Sequence, residues 1–533
     1  MRSFLKPFCF AFLCFFLMLS HVESKNWEKQ PLSDDEYTVL KVCEGVFQLF
    51  KKFPDSIWPG YNLAERPFIV YVQGKWALLF NTNQKIEGFT SCPEGWPDLG
   101  TNVLFHQGQY KDLVGQLLFN FQVGDIKTVA IGFPQKLPES LKLLEARMFG
   151  HIVHEAFHQF QHENFGEIAW EREERYPILD RENTTLAYLE MALLMDAIKS
   201  AYANNRDQVK DYIKQFVAVR NFRWGQSDPF VTRYEQGQEI REGTARYVEM
   251  KCMELVKTLE YKSSLKGLTS SLEEDLKSIS ILEYLMEDFL ERITGGSVTP
   301  GNMLRNRIYP VGSTMGFLAD YLNINWKEEA QKAGPEFTFE QLFSQSLDLD
   351  KEELSDLLNK AKKKYGYDKI LASTKELITE YRNGYKKDLK SFEAQKGLRI
   401  EIEFAYRDLS RSRSSTGKMW VMDNGAISFC KNFRVYTLKN KDLILQVHDA
   451  AVFEENEWDK KRKKVVFFVP EISSLSLDNK SFKIDEDFHR GFNNIEFVGK
   501  NLKFSYSKAG TITFSKNSLK VNLITKKGSH LNI

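Results

Sequence analysis

The chain has 533 residues, of which 42% are hydrophobic and 27% are charged, with 73 basic and 72 acidic side chains. This composition excludes disordered and fibrous proteins and predicts two or three folded domains. The near-neutral charge gives no support to a nucleic-acid or anionic-membrane partner, because those partners select basic surfaces.

The first 24 residues have the pattern of a secretory signal peptide. Arg2 and Lys6 precede an unbroken apolar run over residues 8–19, and cleavage is expected after Ser24. The run is too short to span a bilayer comfortably, so an uncleaved anchor is the weaker alternative. We therefore expect a secreted, extracytoplasmic protein without a membrane span. Removing residues 1–24 takes away two basic residues and one acidic one, which leaves 71 of each.

Residues 25–136 are predicted to form a small mixed α/β region. The stretch "RPFIVYVQGKWALLFN" indicates two strands joined at residues 73–75, and "DIKTVAIGF" indicates another strand. Export would allow disulfides. Since Cys43 and Cys92 both lie in this region, we expect them to pair.

From Leu137 the pattern becomes helical, and residues 137–396 are predicted to form a mostly helical domain. "LPESLKLLEARMFGHIVHEAFHQFQ" carries apolar residues at helical spacing. "SLEEDLKSISILEYLMEDFLERITGG" indicates one helix, which opens with a capping box at Ser271 and Glu274 and closes on Gly295 and Gly296.

Near Gly397 the hydrophobic period changes to two. "LRIEIEF", "LKFSY", "TITF" and "SLKVNL" all alternate apolar and polar residues. We predict a separate antiparallel β domain over residues 397–533. The expected fold class is therefore α+β, with the helical domain preceded by the small mixed region and followed by this β domain.

Four of the nine histidines fall within "HIVHEAFHQFQHEN", residues 151–164. His154 and His158 are four residues apart and share one helix face, and Glu155 completes an H-E-x-x-H motif. Two neutral imidazoles hold Zn²⁺, while the glutamate reaches a metal-bound water and takes its proton. We predict one zinc ion per chain. His151 and His162 are expected to be rim residues or partners of the ligands, since only His154 and His158 enclose a glutamate.

Catalytic zinc takes three protein ligands, and two later glutamates compete for the third position. Glu190 lies on an apolar stripe in "TTLAYLEMALLMDAI", and Glu242 lies in "REGTARYVEM", where we expect a helix to begin. Arg220 and Arg223 lie on an apolar stripe of a neighbouring helical stretch. A buried ion pair with these arginines is the default interpretation of Glu190.

"HEAFHQFQ" and "REGTARYVE" together resemble the catalytic helices of gluzincin metallopeptidases of the peptidase MA group, notably their aminopeptidases. The resemblance covers about a third of the chain. It implies a zincin-like catalytic domain with Glu242 as the third zinc ligand. Two features depart from the aminopeptidases: the long separation between His158 and Glu242, and the absence of a G-A-M-E-N-like segment. The second argues against aminopeptidase specificity.

Hydrolysis through a tetrahedral intermediate needs a donor for the developing oxyanion. Gluzincins commonly use a tyrosine or histidine downstream of the third ligand, and Tyr309 is the candidate here, in a predicted loop before Pro310 and a new helix. Tyr247, Arg246 and His151 are alternatives.

These features predict a zinc metallopeptidase that acts on a peptide or protein substrate, with His154, His158 and Glu242 as ligands and Glu155 as base. A zinc hydrolase of esters or non-peptide amides would use the same residues. A non-catalytic binding protein with a vestigial zinc site is the other alternative, although such a site has no need for Glu155.

Overall fold

The computed structural model describes residues 32–524, except 95, 97–98, 100, 112, 114–116, 139–143, 167–171, 257–279, 406–408 and 485. The predicted signal peptide and the capping box at Ser271 and Glu274 lie outside the described residues. Within the described ranges, no helix combines the length and apolarity needed to cross a bilayer. The fold contains helices and sheets, with a helical region and a large curled sheet toward the C-terminus, which confirms the α+β class.

The described residues form two compact units. The first contains residues 32–171 and 182–371, and the second contains residues 172–181 and 372–524. The histidine cluster and both competing glutamates belong to the first unit, whereas the large sheet belongs to the second.

Helix α1 (Asp34–Lys52) opens the first unit. Its start is fixed by a capping box, since the Glu36 backbone N–H donates to Ser33 Oγ and the Ser33 backbone N–H donates to the Glu36 carboxylate. This capping signal, Ser-x-x-Glu, is present in the sequence, but the sequence analysis above placed no helix at these residues of the mixed α/β region.

A six-stranded sheet follows α1, in the order β3-β4-β2-β1-β6-β5. Strands β1 and β6 pair in parallel and the other neighbours pair antiparallel. The strands are β1 (Phe68–Val72), β2 (Trp76–Phe80), β3 (Thr90–Ser91), β4 (Val103–Gln107), β5 (Leu117–Val123) and β6 (Ile126–Phe133). The three strands predicted from the sequence are confirmed as β1, β2 and β6.

The predicted disulfide between Cys43 and Cys92 is wrong, because both thiols are free. Cys43 is buried in α1, whereas Cys92 follows β3 and its Sγ lies 3.9 Å from the carbonyl oxygen of Val103. Proximity in the sequence does not bring these two side chains to bonding distance.

The rest of the first unit is mainly helical. The elements are α2 (Leu144–Asn164), α3 (Arg181–Tyr202), α4 (Arg206–Gln226), α5 (Pro229–Gln238), a π-helical segment (Glu239–Gly243), α6 (Thr244–Val256), α7 (Ile281–Arg292), β7 (Ile293–Thr294), β8 (Ser297–Val298), α8 (Arg305–Tyr321), α9 (Lys327–Ala333), α10 (Phe339–Ser346), α11 (Leu354–Tyr365) and α12 (Tyr367–Glu393), which continues into the second unit. Helix α2, which carries the histidines, packs against α1, α6 and β6. Helix α8 packs against α6 and the π-helical segment.

The single helix predicted over residues 271–296 is wrong. Ser280 has extended backbone, and its hydroxyl accepts a hydrogen bond from the Glu283 N–H, so it caps the start of α7. At the other end, α7 stops at Arg292, and Gly295 and Gly296 form the turn of the β7–β8 hairpin with positive φ angles. A glycine pair suits a hairpin turn as well as a helix end, so the sequence signal was ambiguous.

The second unit is built on a 13-stranded sheet. Its main path runs β16-β15-β18-β19-β13-β14-β9-β21-β20-β17, while β12 joins β13 and pairs with β10 and β11. The strands are β9 (Leu398–Ala405), β10 (Ser410–Ser415), β11 (Met419–Met422), β12 (Ile427–Lys439), β13 (Leu443–Glu457), β14 (Arg462–Val469), β15 (Ser474–Leu477), β16 (Lys480–Ser481), β17 (Phe488–Phe492), β18 (Ile495–Gly499), β19 (Leu502–Tyr506), β20 (Gly510–Ser515) and β21 (Ser518–Asn522). The described pairs are antiparallel except for β9 with β21, which is parallel.

Candidate metal centre

The chain from Pro229 to Val256 is continuously helical, with the π-helical segment between α5 and α6. The expectation that a helix begins at Glu242 is therefore wrong, since Glu242 lies inside this run. π-helical turns are rare in proteins, but those that occur often lie at functional sites. Their wider turn changes the direction of a side chain. Here the redirected turn carries Glu242, which is almost fully buried.

His154, His158 and Glu242 converge from α2 and the π-helical segment, and one ligand atom of each lies within 4.8 Å of the others. Oε2 of Glu242 is 3.5 Å from Nε2 of His154 and 3.4 Å from Nε2 of His158. Ligand atoms about 2.0–2.1 Å from a tetrahedral zinc ion are about 3.3 Å apart. The donor set and its spacing therefore fit Zn²⁺.

Gln161 fixes the orientation of His158, and the sequence analysis did not identify it. Its Oε1 lies 2.7 Å from Nδ1 of His158, and its Nε2 donates to the backbone carbonyls of Ile240 and Arg241, both at 2.9 Å. A ring nitrogen that binds metal is usually oriented in this way by a partner on the other ring nitrogen. The same side chain also ties α2 to the π-helical segment.

Glu249 is the corresponding neighbour of His154, but it lies at ion-pair distance and does not hydrogen-bond the ring. Its Oε2 lies 3.4 Å from Nδ1 of His154, and its other oxygen accepts from Arg246 at 2.5 Å. Arg246 also binds Asp288 at 2.8 Å. Nδ1 of each histidine is thus directed toward a polar side chain, and Nε2 is directed toward Glu242.

The carboxylates give this site a strong preference for positive charge. Burial alone would raise the pKa of Glu242, but the two histidines hold it well below its ordinary value. Burial alone would lower the pKa of His154, but Glu242 and Glu249 raise it to about 10. A divalent cation bound between these groups would take the place of that proton.

Glu155 and Tyr309 lie beside the cluster of His154, His158 and Glu242. The Glu155 side chain is 14% exposed, and its Oε1 lies 3.6 Å from Nδ1 of His151. The ring of Tyr309 lies 5.8 Å from that of His154. Burial, followed by the charge of Glu242 and a hydrogen bond with it, raises the pKa of the Tyr309 hydroxyl well above its usual range.

Tyr309 lies within a helix and not in the predicted loop, because α8 begins at Arg305 and includes Pro310. Pro310, the sixth residue of α8, lacks the backbone N–H that would donate to the carbonyl of Asn306, yet the helix continues through it. The alternatives Tyr247 and Arg246 contact other groups: the Tyr247 hydroxyl donates to Asp320, and Arg246 binds Glu249 and Asp288.

Glu190 is placed away from the histidines, in a fully buried ion-pair network. It accepts from Arg220 at 2.8 Å and from Arg223 at 2.6 Å, as the default interpretation of the sequence predicted. The network continues through Glu235 to Arg307 of α8 and through Glu239, which lies in the π-helical segment. These charges link α3, α4, α5, the π-helical segment and α8.

Two further arginines lie on the other side of Glu242. Nε of Arg241 is 3.9 Å and Nη1 of Arg305 is 4.0 Å from Oε1 of Glu242. Arg241 also lines a cavity of about 130 Å³ together with His158, Gln161 and His162. The sequence analysis identified neither arginine.

The site thus offers two imidazoles and a carboxylate that face one point, a neighbouring carboxylate on the same helix, and a phenol. Comparisons with protein-family models, with curated proteins and with solved structures found no match. Conclusions about function therefore depend on the site's own geometry and chemistry.

Proposed function

We propose that this protein is an exported, zinc-dependent hydrolase of gluzincin type that cleaves peptide bonds in a peptide or protein substrate. One observation carries the proposal: Oε2 of Glu242 lies at zinc-ligand spacing from Nε2 of both His154 and His158, and one ligand atom of each residue lies within 4.8 Å of the others. A purely structural zinc site is normally closed by four protein ligands. Three ligands beside a glutamate favour a hydrolytic site.

Bound Zn²⁺ would lower the pKa of its water and would polarise the substrate carbonyl. Glu155 takes a proton from the attacking water as the water oxygen bonds to the carbonyl carbon. It then delivers this proton to the amine nitrogen as the C–N bond breaks. Tyr309 donates a hydrogen bond to the developing oxyanion, and its raised pKa keeps its own proton in place at neutral pH.

The metal assignment is tested by measuring zinc in the purified protein. The parent should hold about one zinc ion per chain, and His154→Ala or His158→Ala should remove it, because two remaining ligands bind zinc weakly. Full zinc occupancy in either variant would contradict the site.

The catalytic assignment is tested by Glu155→Gln, once a peptide library has revealed a substrate of the parent. Glutamine keeps the shape of the side chain but removes the base, so the variant should bind zinc and melt like the parent. Its rate should be lower by about 10² to 10⁴, the usual contribution of a positioned acid–base group. Cleavage at the parental rate would mean that water is activated elsewhere, and loss of zinc would mean that Glu155 has a structural role.

A further inference from the structure

We propose that Arg241 and Arg305 form an anion subsite beside the zinc position, which recognises a carboxylate of the substrate peptide. This inference rests on the proposed function and adds a substrate class to it. The two arginines come from different elements, the π-helical segment and the first residue of α8, yet both approach the same oxygen of Glu242.

The two oxygens of Glu242 face different partners. Oε2 faces the imidazoles of His154 and His158, whereas Oε1 faces the guanidinium groups of Arg241 and Arg305. At 3.9 and 4.0 Å these guanidinium contacts are longer than hydrogen bonds. Glu242 therefore attracts both arginines to the metal position without being hydrogen-bonded to them at these atoms.

Exposure separates this pair from the structural arginines of the same unit. The side chains of Arg241 and Arg305 are 27% and 33% exposed, whereas Arg220, Arg223 and Arg307 are fully buried in ion pairs. Arg241 also lines the cavity that reaches the ligand residue His158. A group that enters this cavity therefore meets the Arg241 guanidinium and His158.

Charge around the opening also favours an anion. Zn²⁺, Arg241 and Arg305 would together place positive charge around the carboxylate of Glu242. The two guanidinium groups approach the same oxygen of Glu242, so their positive charges repel each other. A planar carboxylate suits guanidinium groups, and its negative charge would relieve their repulsion.

Binding is measured with zinc-loaded Glu155→Gln protein, so that cleavage is too slow to disturb the measurement. The probes are dye-labelled random octapeptide pools in matched pairs, with fluorescence anisotropy as the readout. One pair compares a free C-terminal carboxylate with a C-terminal amide, and the other compares central Asp and Glu with Asn and Gln. We expect one anionic pool to bind about tenfold more tightly than its neutral match, the equivalent of one charge-assisted hydrogen bond. The pair that discriminates identifies the source of the carboxylate.

Adding Arg241→Gln or Arg305→Gln should reduce this tenfold preference to about twofold or less, with zinc content unchanged. Arg233→Gln, at an exposed arginine of α5, is the matched control and should keep the preference. Equal binding of anionic and neutral pools by the zinc-loaded protein would overturn the proposal, and peptide cleavage by the parent would then still support the proposed function. Loss of zinc from both arginine variants would also overturn it, since the arginines would then serve to hold Glu242.

Discussion

Glu190 and Glu242 are both buried glutamates on helical elements, but the groups around them differ. Burial alone would raise the pKa of Glu190, and Arg220 and Arg223 instead hold it below its ordinary value. Glu242 is surrounded by two imidazoles on one side and two partly exposed arginines on the other. The carboxylate of Glu190 is already paired with arginines, whereas the site at Glu242 would be stabilised by a bound metal ion.

Substitution of each glutamate should therefore have a different consequence. Glu190→Ala leaves two buried guanidinium groups without their shared carboxylate, so the free energy of unfolding should fall by about 3–5 kcal/mol. Glu242→Ala should lower zinc affinity while the fold persists. Zinc content and urea unfolding of both variants give the comparison. If Glu190→Ala lost zinc and Glu242→Ala kept it, the two roles would have to be exchanged.

Sequence patterns reveal the residues that one helix brings together, but not those brought together by packing. His154, Glu155 and His158 share α2, so a spacing of four was enough to predict their proximity. Gln161 is a further three residues along α2, and Glu249 lies seven residues after Glu242, two helical turns away. Both spacings were available as signals for the partners of the histidines. Arg305 gave no such signal, because only the packing of α8 against the π-helical segment places it near Glu242.

Two glycines allow α8 to lie against the π-helical segment. A Cβ added at Gly243 would lie 2.7 Å from Cα of Gly312, and one added at Gly312 would lie 2.5 Å from Cα of Gly243. Neither contact can be relieved by rotating a side chain, because backbone meets backbone. Gly243 follows Glu242 and Gly312 lies one turn after Tyr309, so this close approach sets the distance between Glu242 and the phenol of Tyr309.

Gly243→Ala should separate these two elements. We expect a loss of about 1–3 kcal/mol in the free energy of unfolding, the usual effect of overpacking, together with weaker zinc binding. Gly225→Ala is the matched control, because nothing lies within 4 Å of a Cβ added there, within α4. That control should be neutral or slightly stabilising, since alanine favours helix. Equal zinc affinity in Gly243→Ala and the parent would contradict the assigned role of this contact.

The sequence predicted elements well where apolar and polar residues alternate clearly along the chain. It predicted them poorly where an irregular turn determines the geometry. Strand β9 buries Leu398, Ile400, Ile402 and Phe404, as the period of two predicted. The π-helical segment, by contrast, adds one residue to a turn and leaves no distinct pattern in "QEIREGTA". Pro310 indicated a helix start but lies five residues inside α8. Side-chain packing, not local propensity, determines the position of the π-helical segment and the start of α8.

At the scale of the whole chain, the two units are stabilised by different charged groups. In the second unit Glu454 is buried and contacts Lys463 at 2.5 Å, Arg413 at 2.7 Å and Arg411 at 3.0 Å. Glu174, from the short segment 172–181, also pairs with Arg411. This ionic cluster contains none of the proposed zinc ligands. Removing the metal and removing Glu454 should therefore perturb different units.

Glu454 also predicts an acid-sensitive stability. Burial alone would raise its pKa, but Lys463 and Arg411 hold it well below the ordinary value of 4.5. The unfolded chain then binds this proton more strongly than the folded chain does. The stabilisation is fully present above about pH 5 and is lost as the pH falls toward the folded-state pKa.

Scanning calorimetry of the full chain can separate these contributions. We expect two transitions at neutral pH. A chelator should lower the transition of the zinc-binding unit by a few degrees, since zinc at 100 times its dissociation constant contributes about 2.7 kcal/mol. Glu454→Gln leaves Lys463 and the arginines without their buried carboxylate, so it should lower the other transition by about 10 °C. As the pH falls below 5, the Glu454→Gln variant should also lose less stability than the parent does. If the chelator and Glu454→Gln shifted the same transition, the two units would unfold together.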